Sequence, residues 1–232
     1  MTPMTAELET SDEVEVITAP GPATLADHLE GLGNVDTSRV LWTPRPGTAT
    51  EADLTACGVK LVELIDGTLV RKPMGLRESL MAVAIAVILD AWRSRTNAGV
   101  VGGPDGEHRL EPGMVRKPDV SYTAWESLPN DTAHLQPIGD YAPDLAVEVL
   151  SESNRAGSMG RKIREYFTHG TKLVWVVNPR ACTIAVYTDP TNSTILTRAD
   201  TLVGSEVLPG FSVPLAELFD NPQLNPRPQR GA

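Results

Sequence analysis

Aromatic side chains make up only 5% of this 232-residue chain, and no run of them offers the stacking ladder by which single-stranded nucleic acid is commonly held. Cysteine is scarcer still. Cys57 and Cys182 form no CxxC pair and no metal-ligand spacing, which excludes a disulfide scaffold or zinc finger and fits the reduced thiols of a cytoplasmic protein. Long apolar runs are missing too: the longest, LMAVAIAVIL before Asp90, is too short to cross a bilayer, so no membrane contact is expected. The opening MTPMTAELETSDEVEV is acidic and has neither the basic nor the apolar region of a secretion signal. Nor does the chain carry the basic excess usual for a nucleic-acid binder, its formal charge being -10.

The hydrophobic fraction of 41% is enough for a folded core. The charge is also unevenly spread. Residues 1–57 hold ten acids against Arg39 and Arg45, a balance of -8, and the remaining residues carry only -2. The acidity therefore belongs to an N-terminal arm, and the body is close to neutral. Between Ser151 and Lys172 five bases oppose Glu152 and Glu165, a local excess of +3.

Local pattern divides the chain into an arm with short helices and a linker (1–57), a body (58–220) and a frayed tail (221–232), with residues 1–22 expected to be disordered. Thr24 should cap a short helix, and Thr50 with Asp53 another that stops at Gly58. In KLVELIDGTLVRK, Asp66-Gly67 has the composition of a tight hairpin turn. Residues 78–94 predict a helix apolar nearly all round, which should be buried against a sheet. Short strands are expected at about 99–103, 107–111, 118–124 and 144–150. A helix over 158–169 with the stripe Met159, Ile163, Tyr166 and Phe167 comes next, and then two strands in KLVWVVNPRACTIAVYT. The order implies an α/β fold, one mixed sheet flanked by helices.

One residue breaks the pattern. Glu148 interrupts the apolar run LAVEVL, and an unpartnered carboxylate in a covered strand costs several kcal/mol. Asp119 heads a neighbouring strand, Lys162 lies on the following helix, and Glu78 opens the buried helix. Two strand carboxylates brought together repel unless a cation joins them, and with Mg²⁺ or Mn²⁺ they form a hard-oxygen site. A lysine beside it could position water or stabilise charge on a phosphate. Each residue also has a plain structural explanation. Glu78 suits the helix macrodipole, Asp119 could turn the chain after Pro118, and Lys162 could snorkel outward or pair with Glu148.

The segments ELIDGTLV, KPMGLRES, KPDVSY and PDLAVEVLSESNRAGSMGRKIREYF together resemble the Uma-two family of the PD-(D/E)XK nuclease superfamily, from about Val62 to Phe219. The resemblance implies a restriction-endonuclease-like fold and a Mg²⁺- or Mn²⁺-dependent endonuclease acting on DNA. Asp119, Glu148 and Glu78 would be the metal carboxylates and Lys162 the catalytic lysine. The superfamily's usual lysine position, two residues beyond the second acid, is Leu150 here, so Lys162 stands in from the next helix. Glu63 also matches a recurrent family position, with no role evident beyond the hairpin. The alternative expectation is a non-catalytic module that binds nucleic acid or protein. A homodimer is admitted, and no helix-turn-helix or zinc finger supplies sequence recognition.

Overall fold

A computed structural model describes residues 24–151, 156–221 and 224–225. The arm expected at residues 1–22 and most of the tail lie outside the described residues. Ahead of the body, α1 (Leu25–Gly31) and α2 (Glu51–Ala56) each begin with the capping box that their Thr-x-x-Asp sequences encode: Thr24 with Asp27, and Thr50 with Asp53.

β1 (Val62–Ile65) and β2 (Thr68–Arg71) form the expected hairpin. Asp66 and Gly67 both take positive φ, 46° and 64°, as a two-residue turn matched to strand twist requires. The long helix α3 (Leu76–Thr96) follows, then β3 (Gly99–Gly102), β4 (His108–Glu111), β5 (Met114–Arg116) and β6 (Val120–Ala124). β7 (Leu145–Val149), α4 (Ala156–Thr168) and β8 (Leu173–Asn178) make a parallel crossover, and β9 (Thr183–Tyr187) returns antiparallel. β10 (Ser193–Thr197) completes the sheet edge, and β11 (Thr201–Val203), β12 (Ser212–Pro214) and α5 (Leu215–Phe219) close the chain.

The strands do not form the single sheet expected. They divide into a six-stranded mixed sheet, β10-β9-β8-β7-β6-β3, a four-stranded antiparallel sheet, β2-β1-β5-β4, and the β11-β12 pair. The physical reason is β5, a short strand that sequence pattern does not reveal. It pairs with β1 and draws the hairpin into a sheet of its own.

The two faces of the six-stranded sheet differ in kind. One packs α3 and α5 over Val120, Tyr122, Leu145, Val147, Leu173 and Trp175 in the main core. Successive strand residues point to opposite faces, so Asp119, Ser121, Glu148, Ala146, Val174 and Val176 share the other. There α4 covers Ala146, Val174 and Val176 with Met159, Ile163 and Tyr166. α3 is less buried than its composition predicts: Met81, Ile85, Leu89 and Trp92 face the core, but Leu76, Val83 and Val87 are exposed.

The segment before the body is tied to it. Leu32, Val35 and Val40 pack on Ile65 and Val70, and Leu41 N–H donates to the Leu69 carbonyl at 2.8 Å. Gly33 lies so close to α4 that a Cβ there would stand 2.9 Å from the Ser158 Cα, which only glycine permits.

Candidate active site

Glu148 is buried in the middle of β7, and the structure answers what compensates it. The β6–β7 register pairs Val120 with Val147, and one step further sets Asp119 opposite Glu148 on the same face. Asp119 is clasped to β7 twice. Its N–H donates to the Val147 carbonyl, and its Oδ2 accepts the Val149 N–H at 2.6 Å, taking the place of a ladder carbonyl.

Two cations and a phenol surround the pair. Lys162, one turn into α4 and pointing inward, places Nζ 2.7 Å from Glu148 Oε1 and 2.8 Å from Glu63 Oε1. Tyr166, one turn further, donates its hydroxyl to Glu148 Oε1 at 2.8 Å. Lys72, the residue after β2, sets Nζ 2.7 Å from Asp119 Oδ1 and 3.9 Å from Glu148 Oε2, and donates to the Lys117 carbonyl. Asp119 Oδ1 nevertheless accepts no well-directed hydrogen bond, so the Lys72 contact is ionic.

Glu63 is the second organising carboxylate. From β1 it accepts Lys162 and the Lys117 N–H on Oε1, and Arg116 Nη1 at 3.0 Å on Oε2. Arg116 also binds Glu165 on α4, and Arg161 grips Glu165 and Asp66. The network thus fastens the small sheet to α4.

Burial opposes charge on Glu63, but Lys162, Arg116 and Lys72 outweigh it and hold the group below the ordinary carboxylate range. Glu148 goes the other way. Burial dominates, Asp119 and Glu63 add repulsion, and its pKa rises despite Lys162 and Lys72. Burial works against the Lys162 ammonium, yet Glu148 and Glu63 raise its pKa, so it stays protonated. Burial also drives the Tyr166 phenol upward, with Glu148 adding to it.

Of the four residues expected at the site, three meet. Glu78 does not line the cavity; its carboxylate folds back over Gly75 at the head of its own helix, where the macrodipole favours it. Two residues that pattern alone does not single out, Lys72 and Glu63, are central.

The residual space beside these groups is about 30 Å³, room for one water or ion. It is lined by Asp119, Glu148, Lys72 and Lys162, and also by Leu32, Val35 and Arg39 from the N-terminal segment. Arg39 donates its Nε to the Arg71 carbonyl at 2.8 Å.

Among the described residues no three Asp, Glu, His or Cys side chains are grouped to hold a metal. Three oxygens do converge, however. Asp119 Oδ1, Glu148 Oε2 and the Lys117 carbonyl all face the Lys72 ammonium, and the first is a buried acceptor with no hydrogen bond. Hard oxygens of this kind suit Mg²⁺ or Mn²⁺, so the residues present fit such an ion.

In comparison with known proteins, residues 59–216 match the model of a family, Uma2, whose description is "Putative restriction endonuclease". No curated protein matches the chain. Among solved structures, the fold is similar to that of "a putative nuclease belonging to DUF820" from Anabaena variabilis ATCC 29413, with a TM-score of 0.63. The two share 18% identity, and the match covers 71% of this chain and 91% of that one. At that identity the likeness speaks for the fold alone.

Proposed function

Since the chain belongs to the Uma2 family, we propose that it is a metal-dependent endonuclease that hydrolyses phosphodiester bonds in DNA, with its centre at Asp119, Glu148 and Lys162. The observation that carries this is the convergence of Asp119 Oδ1, Glu148 Oε2 and the Lys117 carbonyl on one ammonium. Three oxygens aimed at a single cation support the reading of a cation site, which the Lys72 ammonium fills in the protein alone.

Asp119 and Glu148, with the Lys117 carbonyl, would hold Mg²⁺ or Mn²⁺. When bound, the ion would polarise a phosphoryl oxygen and lower the pKa of a bound water. The remaining work falls to the chain. Lys162, fixed between Glu63 and Glu148 and kept protonated by them, can stabilise charge on the phosphate or give a proton to the leaving oxygen; it cannot serve as a base. Glu63 keeps that ammonium aimed at the cavity and is a positioning residue. Tyr166 restrains Glu148 from behind, leaving Oε2 as the oxygen that faces outward. Hydrolysis adds water across the P–O bond: the attacking water gives up a proton, and the leaving oxygen takes one.

The test is nicking of supercoiled plasmid with Mg²⁺ or Mn²⁺ by wild type, Glu148→Ala and Asp119→Asn, beside titration calorimetry with Mn²⁺. We expect nicking that chelator abolishes and a drop of 100-fold or more in either variant. Equal activity in all three proteins, or Mn²⁺ binding indifferent to Glu148, would overturn the proposal.

A further inference from the structure

The face of β6 that carries Asp119 does not end at the charged cavity. The two-residue repeat brings Ser121 and then Thr123 onto the same face, each about 7 Å further along the strand. They border a separate cleft of about 320 Å³, roofed by His108, His134, Gln136 and Tyr141. Space for it exists partly because β3 places Gly102 opposite Ser121, where a Cβ would stand 2.5 Å from the serine oxygen.

The cleft contrasts with its neighbour in every respect that matters for a ligand. It has about ten times the volume, at the low end of small-molecule sites, where the charged cavity admits one water. No lysine or arginine lines it, and its two acids are Asp105 and Glu107, the latter paired with Lys117 at 2.6 Å, so nothing in the lining attracts phosphate. The side chains within it are polar but neutral. His108 bridges the Tyr141 carbonyl and the Ser121 hydroxyl at 3.2 Å each and is uncharged at neutral pH, since burial pushes its pKa down to about 4. Planar groups line the cleft: Tyr141 meets His108 edge-on at 5.3 Å, and His134 is braced edge-on by Trp125, which lies outside the lining. His134 Nδ1 is buried with no hydrogen-bond partner, an imbalance that an occupant could relieve once the ring turns toward it.

We propose that this cleft is a base-binding subsite, taking one unstacked nucleobase of the strand whose phosphate lies at Asp119. This rests on the nuclease assignment of the neighbouring cavity. A nucleobase meets all the stated conditions: it is planar and uncharged, it carries donors and acceptors on its edge, and it is attached about one strand-repeat from a phosphate. Its exocyclic amino group would find acceptors in the Ser121 oxygen, Gln136 and Asp105. A base carrying such a group (adenine, guanine or cytosine) should therefore bind better than thymine.

The experiment uses the full chain in chelator, without phosphate or metal. The four deoxynucleosides are titrated in turn while the ring signals of the four histidines are followed by NMR, assigned by single substitution. Expected are saturable millimolar shifts of His108 and His134 with at least one amino-bearing nucleoside, with His28 and His169 unmoved. Binding should weaken 5-fold or more in His134→Ala and in Thr123→Val, two variants of different structural risk. No saturable shift with any nucleoside, or affinity equal to wild type in both cleft variants, would overturn the proposal. The outcome is separable from the nuclease test. Failure of metal-dependent nicking leaves nucleoside binding in chelator measurable, and failure of nucleoside binding leaves nicking intact.

Discussion

Glu63 and Glu148 are both wholly buried glutamates that share one lysine, yet they sit on different sheets and are treated in opposite ways. Every oxygen of Glu63 is met by a cation or an N–H, and its charge is held more firmly than in water. Glu148 has one oxygen fully used, by Lys162 and Tyr166, and one turned toward a lysine at 3.9 Å, and its charge is disfavoured. A saturated carboxylate is an anchor. A buried carboxylate with an oxygen in reserve stores an energetic deficit that a cation can cancel, and that distinguishes the chemical site from its foundation.

Substitution should separate them most sharply. Glu63→Gln removes the charge that Lys162 and Arg116 depend on, and should cost about 3 to 5 kcal/mol in denaturant unfolding. Glu148→Gln keeps the shape and replaces a charge the fold resists, so the loss should be under about 1 kcal/mol. Equal losses would erase the distinction between anchor and site.

Metal sharpens the comparison next. At a concentration near 100 times its dissociation constant, Mg²⁺ or Mn²⁺ should stabilise wild type by about 2.7 kcal/mol, read as a rise in Tm. Glu63→Gln should keep a rise over its own lower baseline, and Glu148→Gln should show almost none. A rise in Glu148→Gln equal to wild type would place the cation elsewhere.

Acid should separate the pair by sign. Because the Glu63 pKa is lowered, its stabilisation is complete above about pH 4.5 and is lost as pH falls below that. The raised Glu148 pKa has the reverse effect: stability falls as pH rises from 4.5 through the raised value. His108 must be removed to see either. Its pKa is depressed from 6.5 to about 4, so its contribution is full above pH 6.5 and fades toward pH 4, on the order of 3 kcal/mol in all. His108→Gln should flatten that window in chelator, and an unchanged slope would mean the buried imidazole is already charged.

Much of the fold was legible because it is coded locally. The Thr-x-x-Asp caps, the Asp66-Gly67 hairpin, and the alternation and stripes of β6, β7 and α4 depend on neighbours a few residues away. Glu148 was legible because a charge inside an apolar run has no local excuse. Lys72 was not, and Glu63 stood out only as a family position with no evident role, since each reads locally as part of an ordinary hairpin. Their meaning comes from β5 drawing that hairpin against α4, a long-range pairing carried by three residues. The edge strand β10 was missed for a related reason: STILT, mostly exposed, carries no burial signal.

Arg39 is the smallest and most specific test of the comparison, because it feels both glutamates without bonding to either. Burial lowers its pKa, and the charges of Glu63 and Glu148 are among those that counter the shift. It comes from the segment preceding the family match, and it lines the cavity together with the carboxylates. Its Nε is committed to the Arg71 carbonyl, so the side chain is positioned by the β2 backbone and not by the acids. A half-exposed guanidinium screened by water contributes little to folding, and Arg39→Ala should change stability by no more than about 1 kcal/mol. Toward DNA the expectation differs. A cation at the mouth of the cavity should hold a phosphate, so the variant should bind less tightly to every sequence, and the slope of log affinity against log salt should fall by about one. Arg39→Lys should keep that slope, since it keeps the charge, while losing the bidentate geometry and therefore some turnover. If Arg39→Ala instead destabilises the fold by several kcal/mol and leaves the salt slope alone, Arg39 is a third anchor like Glu63, and the mouth of the cavity lies on another side.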